Sequence, residues 1–203
     1  MPTAVIPAIC PADKWFVSDE QFDLLYPDEM RSFANSHWTP LEVTRKAATF
    51  LAAEKNTRIL DIGSGIGKFC LAAAHYMPLA SYTGVEQREE LTKHAKNAKK
   101  VLGIKNAAFI HANFTEVDFK NYDHFYFYNS FYENVAFTNK IDNNIEYSGV
   151  QYHQYARYLL KQLEQKPAGT RLATFHSLED EIPEDYMVVG TDMDNDLKCW
   201  IKI

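Results

Sequence analysis

The chain is poor in cysteine, with three in 203 residues: Cys10, Cys70 and Cys199. An odd count without short spacing gives neither a disulfide framework nor a zinc site. Cys70 falls in an apolar helical pattern and reads as a small buried hydrophobe. No stretch approaches the roughly 18 apolar residues of a membrane helix. The short run Ala4–Ile9 lacks a basic flank and is broken by Pro7, so it does not read as a signal sequence. These absences lead us to expect a reducing, cytoplasmic setting and no membrane partner. Positive charge is also in deficit, with 21 Lys and Arg against 27 Asp and Glu and a formal net charge of -6. Such a chain has no overall field for gripping phosphate backbones, so no DNA grip is expected. The seven histidines show no metal-ligand spacing. Asp192–Asp196 lacks the glycine and later glutamate of a calcium loop and reads as a turn. No metal is expected.

Glycine is scarce as well, yet three of the eight fall within five residues: Gly63, Gly65 and Gly67. They follow the apolar strand Arg58–Ile62 and precede a helical pattern from Ile66 to His75. Glycine has no Cβ and tolerates φ > 0, so a ligand can press against this turn. The free N–H groups and positive dipole end of the next helix suit an anion. The pattern points to an adenosine-containing cofactor.

Strands and helices alternate from here. Strands are expected at Ser81–Val85, Ala107–His111, Tyr122–Tyr128 and Arg171–Phe175. Helices are expected at about Arg88 to Leu102 and Ser148 to Gln165. Tyr186–Val189 and Lys198–Ile203 flank an Asp-rich turn as a terminal hairpin. The alternation predicts an α/β fold with a mostly parallel sheet and helices on both faces. Ligands then bind at the carboxyl ends of the strands. Upstream, residues 1 to about 17 read as an arm. Ser18 with Gln21 opens a short helix as a capping box. Thr39-Pro40-Leu41-Glu42 reads as N-cap, N1 and N3 of a helix running to about Glu54. Residues 1–56 are thus an N-terminal helical extension covering the cofactor site, and 57–203 the catalytic domain. The lysines Lys93, Lys96, Lys99, Lys100 and Lys105 read as a solvated face.

Two details discriminate among adenosine cofactors. The third glycine comes one residue early for a dinucleotide fingerprint, whose last position is filled by Lys68. Asp61 lies two residues before the first glycine, where a carboxylate suits an ammonium group better than a pyrophosphate. S-adenosylmethionine carries both an α-ammonium and an α-carboxylate. Glu86 ends the second strand in Gly84-Val85-Glu86-Gln87, where an acid can accept from both ribose hydroxyls. With Ile59-Leu60-Asp61-Ile62-Gly63-Ser64-Gly65-Ile66-Gly67, the chain resembles the class I (Rossmann-like) S-adenosylmethionine-dependent methyltransferases over about residues 57 to 203. The resemblance implies a seven-stranded sheet with its last strand antiparallel, and S-adenosyl-L-homocysteine as product. It implies cofactor contacts at Asp61, Gly63, Ser64, Gly65, Gly67, Glu86 and Gln87. It also implies an adenine contact at Asn113, by its amide, and at Phe114. Trp38 and Thr39, just before the core, would cover the cofactor.

The end of strand four, Phe127-Tyr128-Asn129-Ser130-Phe131-Tyr132, faces the transferred methyl in that family. It resembles the Asn-Asn-Phe segment of the non-SET histone-lysine methyltransferases. Asn129, Phe131 and Tyr132 are the candidate catalytic residues, with Asn129 also touching the cofactor. Phe127, Tyr128, Phe131 and Tyr132 would form an aromatic channel that lowers an amine's pKa. The acceptor expected is a protein lysine or other amine nitrogen, with a small metabolite or RNA as alternatives. A non-catalytic cofactor-binding subunit is the reading from another class.

Overall fold

The computed structural model describes residues 13–134, 140–142 and 147–203. Most of the expected N-terminal arm, with Cys10, lies outside the described residues. Seven strands form one sheet: β1 Arg58–Ile62, β2 Ser81–Glu86, β3 Ala107–His111, β4 His124–Phe127, β5 Arg171–Phe175, β6 Tyr186–Asp192 and β7 Leu197–Lys202. Their order is β3-β2-β1-β4-β5-β7-β6. The central pairs are parallel, while β7 runs antiparallel to both β5 and β6. This is the Rossmann-like α/β sheet with an antiparallel last strand. The chain order reverses between β1 and β4, so their carboxyl ends open a crevice.

Strand periodicity sorts the residues into two cores. Ile59 faces one side, while Leu60 and Ile62 face the other. The first side is covered by α4 Leu41–Leu51, α5 Lys68–Tyr76 and α6 Glu89–Leu102. Helix α6 buries Leu91, Ala95, Ala98 and Leu102, a helical stripe, and stops at Gly103 with φ 67°. The second side is covered by α7 Gly149–Glu164, which Ser148 caps by accepting from Gln151 N–H. Strand β4 is buried at every residue, because β1 and β5 flank it and helices cover both faces.

Three short helices precede α4: α1 Asp19–Asp23, α2 Asp28–Arg31 and α3 Ala34–His37. Ser18 caps α1 as expected. Thr39 does not cap α4. The helix starts at Leu41, whose N–H donates to Asp19 Oδ1 at 2.9 Å, and Thr39 instead pairs its hydroxyl with Tyr126 at 3.1 Å. A carboxylate brought from α1 displaces the local cap. The helix also ends at Leu51 rather than Glu54. No helix of the described residues is long and apolar enough to cross a membrane.

Candidate cofactor and acceptor cleft

The glycine turn is stitched to its neighbours. Gly63 and Ser64 N–H both donate to Val85 carbonyl oxygen, at 3.0 and 2.9 Å. Gly63 and Gly65 have φ of 75° and 53°, a backbone favouring glycine. Space requires glycine too. A Cβ on Gly63 would run into Ser130 Oγ, and one on Gly65 would lie 2.7 Å from the Trp38 ring. Gly67 makes room for something else, since its missing Cβ would meet Phe109 and Ala95. It packs the helix on the sheet and lines neither cavity described below.

The N-terminal helices are fastened to this turn. Lys68, 3% exposed, pairs with Asp23 at 2.7 Å and Asp19 at 2.8 Å. Tyr26 OH donates to Ile66 carbonyl oxygen at 3.0 Å. Trp38 lies on Gly65 and donates its indole N–H to Met30 carbonyl oxygen at 3.0 Å. The fingerprint's misfit, Lys68, is therefore an internal anchor.

Beside the turn opens a cleft of about 810 Å³. Gly63, Gly65, Glu86, Gln87, Asn113, Phe114, Asn129 and Phe131 line it, with Trp38 and Tyr128. Glu86 is 5% exposed and accepts from Gly65 N–H at 3.0 Å and Arg88 N–H at 2.8 Å. Burial raises its pKa against those two hydrogen bonds. Thr39, Asp61 and Ser64 line a smaller adjoining cavity of about 30 Å³, which shares His37, Trp38, Gly63 and Tyr128 with the cleft. Burial pushes the Asp61 carboxyl up to about 8, and the Cys70 thiol donates to it at 3.5 Å. A fully buried acid with one weak donor favours its neutral form.

Two expectations need correction. The Asn113 amide oxygen accepts from both N–H and hydroxyl of Thr115, at 3.0 and 2.9 Å, and its NH2 donates to Tyr155 OH at 2.6 Å. Both lone pairs are taken, so the side chain caps a turn and has no acceptor left for an adenine amine. Phe127 is buried in the second core and does not line the cleft. Strand alternation turns it away from its neighbour Tyr128, which does. Phe131 is 3% exposed and reaches the cleft from that core, stacked on Phe114 with centroids 4.9 Å apart. Asn129 has φ 36°, a left-handed bend at the end of β4. Tyr132 opens a 3-10 turn, Tyr132–Asn134, and its side chain lies outside the described residues.

Arg88, Glu133 and His176, to which the sequence reading gave no role, also line the cleft, as does His37, which it grouped with Trp38 and Thr39 over the cofactor. Arg88 holds Glu133 at 2.5 Å, Tyr147 OH at 2.7 Å and Asp142 at 3.3 Å. Burial opposes its charge, yet Glu133 and Glu86 hold the guanidinium protonated well above its ordinary range. Among the described residues, no group of three or more His, Cys, Asp or Glu is placed to hold a metal ion.

A family model described as a methyltransferase domain matches residues 53–195. Two curated relatives match shorter stretches. The 23S rRNA (uracil(1939)-C(5))-methyltransferase RlmD of Haemophilus ducreyi is 37% identical over 75 residues, 37% of this chain and 16% of that protein. The tRNA (guanine-N(7)-)-methyltransferase of a Synechococcus strain is 43% identical over 54 residues, 27% of this chain and 23% of that protein. The chain thus spans less than a quarter of either relative's length. Among solved structures, an RNA methyltransferase from Salinibacter ruber, in complex with S-adenosyl-L-homocysteine, superposes with TM-score 0.56 at 20% identity. That match covers 81% of this chain and 92% of that one. At such identity the likeness speaks for the fold.

Proposed function

The chain belongs to the S-adenosylmethionine-dependent methyltransferase family whose domain model it matches over residues 53–195, and on that premise we propose that its cleft transfers a methyl group to an amine nitrogen. The observation that carries the reading is the buried Glu86 carboxylate, which accepts from Gly65 N–H and lines the cleft. The site fits the cofactor in three ways. The backbone at Gly63 and Gly65 lines the cleft without a Cβ, so a ligand can approach the turn closely. Glu86 keeps lone pairs for ribose hydroxyls after accepting from two N–H groups. The cavity beside Asp61, at about 30 Å³, has room for one water between that carboxyl and an ammonium. When bound, S-adenosylmethionine supplies an electrophilic methyl on a sulfonium.

The remaining work falls to the chain. Trp38 and Thr39 belong to the 1–56 extension, whose part is to cover the turn, while 57–203 is the catalytic domain. Gln87, Phe114 and the backbone at Asn113 flank the adenine end. Asn129, Phe131 and Tyr132 stand at the acceptor end, where most of the rate comes from alignment and exclusion of water. An RNA acceptor, as the relatives' names carry, is the second reading. It has the shared stretches in its favour and the net charge of -6 against it.

Glu86→Ala is expected to weaken S-adenosylhomocysteine binding by about 1–3 kcal/mol, the scale of charge-assisted hydrogen bonds. Isothermal calorimetry on the folded variant checks this, and wild-type affinity would remove Glu86 from the site. Methyl-labelled cofactor incubated with separated peptide, metabolite and RNA fractions then identifies the acceptor. Label confined to RNA would replace the amine reading.

A further inference from the structure

Strands β4 and β5 end side by side at the cleft. Their register pairs Phe127 with Thr174, and two residues beyond that pair stand Asn129 and His176. Both line the cleft, and both bend left-handed, with φ of 36° and 52°. Residues with a Cβ seldom adopt that backbone, and it persists where the surroundings impose it, often at functional sites. Asp196 imposes it on His176 from the residue before β7. The His176 N–H donates to Asp196 carbonyl oxygen at 2.9 Å, and its ring Nδ1 lies 3.2 Å from Asp196 Oδ1. Asp196 is itself fixed, since its N–H donates to Met193 carbonyl oxygen at 3.0 Å. The imidazole rests on Phe175 and Tyr128, with centroids 4.1 and 5.8 Å apart. Asp196 engages Nδ1, which leaves Nε2 as the accepting nitrogen of a side chain 44% exposed. An accessible imidazole on a cleft wall, oriented by a carboxylate, is the arrangement of a general base.

We propose that His176 is the general base of the methyl transfer, with Asp196 as its positioning residue, and that the acceptor is a small aromatic molecule bearing a ring-attached amine. This rests on the methyl-transfer reading and narrows its substrate class. An alkylammonium of pKa about 10.4 keeps its proton against an imidazole of about 6.5. Burial does not help such an acceptor here, because the His176 and Asp196 side chains are 44% and 49% exposed. An amine on an aromatic ring arrives neutral, since its lone pair is shared with the ring, and its methylated cation gives up a proton readily. Tyr128, Phe131 and Tyr155 line the cleft with faces on which such a ring can pack. The net charge of -6 favours a small molecule over a polyanion. In the step, the amine lone pair forms the N–C bond while the C–S bond breaks, its electron pair staying on sulfur. One N–H proton passes to His176 Nε2, and the imidazolium pairs with Asp196. The product leaves as a neutral N-methyl amine, and His176 returns its proton to water.

The test begins with calorimetry of S-adenosylhomocysteine on wild type and His176→Asn, a variant whose new residue also tolerates the left-handed bend. No binding to wild type overturns the methyl-transfer reading itself. Binding to both within about threefold is expected, whereas binding lost only in His176→Asn makes His176 a cofactor contact and overturns the base role. On ¹⁵N-histidine-labelled protein, the His176 ring signals are those missing from His176→Asn. They are expected to show the Nδ1–H tautomer in wild type and a mixture of tautomers in Asp196→Ala. Sinefungin, which carries an amine-bearing carbon where S-adenosylmethionine has its methylsulfonium, is expected to shift the Nε2 signal, and S-adenosylhomocysteine to leave it in place. The same tautomers in Asp196→Ala, or equal shifts with both ligands, overturn the proposal. Methyl-labelled cofactor with the metabolite fraction is expected to label a ring-attached amine, about 100-fold more slowly in His176→Asn with KM within threefold. A wild-type rate in that variant, or label on lysine in the peptide fraction, overturns the proposal and leaves methyl transfer to an amine standing.

Discussion

Lys68→Met is expected to destabilise the protein by about 3–5 kcal/mol, the cost of leaving a buried partner charge alone. Lys68 and Asp23 are 3% and 8% exposed, and burial already raises the Asp23 pKa in spite of its cation. Methionine keeps the length of the stem over the Phe22 ring and removes only the charge. For a chain of this size the loss corresponds to a fall in melting temperature of about 10 °C. Adding Asp23→Leu is expected to recover most of it, because the stranded carboxylate is then gone. The effect reaches the cleft. Asp19 Oδ1 holds both Lys68 and the first N–H of α4, so one oxygen ties three helices together. Tyr26 and Trp38, carried by the same segment, rest on Ile66 and Gly65. Lys68→Met should therefore weaken S-adenosylhomocysteine binding as well as lower the melting temperature. Thermal melts and calorimetry on the single and double variants check both halves. An unchanged melting temperature would show that the buried pair contributes nothing.

Asp61→Asn is expected to stabilise the unliganded protein and to weaken cofactor binding. The Asp61 carboxyl, ordinarily near 3.8, is raised by burial to about 8. Between those values the folded protein holds a proton that the unfolded chain has released. Stability therefore falls as pH rises through that window, by up to about 1.4 kcal/mol per pH unit. Asparagine removes this slope, so the gain over wild type grows from pH 5 to pH 8. Binding has the opposite sign. An ammonium beside Asp61 favours its ionised form, so affinity for S-adenosylmethionine should rise up to about tenfold between pH 6 and 7. Asp61→Asn should bind weakly and without that rise. Denaturant unfolding at several pH values, with calorimetry at the same values, reads both. A variant that loses stability at pH 8 while keeping cofactor affinity would contradict the assignment of Asp61.

These effects are only partly legible in the sequence, and distance along the chain explains the division. Strands β1, β3 and β5 run over the residues that their apolar patterns mark out, because the signal is local. The glycine turn reads for the same reason. Thr39 misleads because its own helix offers a local cap, while the group that caps α4 arrives from Asp19, far upstream. Asn113 misleads because Thr115 takes its oxygen two residues on, a turn habit that competes with any ligand. Asp61 is singled out by its place before the glycines, yet nothing in its neighbours tells that it opens into the small cavity rather than the cleft. Phe127 and Tyr128 look alike in sequence and part only when β4 is buried on both faces. His37, Arg88 and Glu133 carry no motif, and only the fold brings three separate segments to one wall.

The central claim is that the turn at Gly63–Gly67 and the acid at Glu86 make a seat for S-adenosylmethionine. The direct measurement is calorimetric titration of wild-type protein with S-adenosylhomocysteine at pH 7.5. The account predicts one-to-one binding that saturates below about 1 mM, the upper end of ordinary substrate affinities. No heat and no thermal shift at millimolar ligand would contradict it.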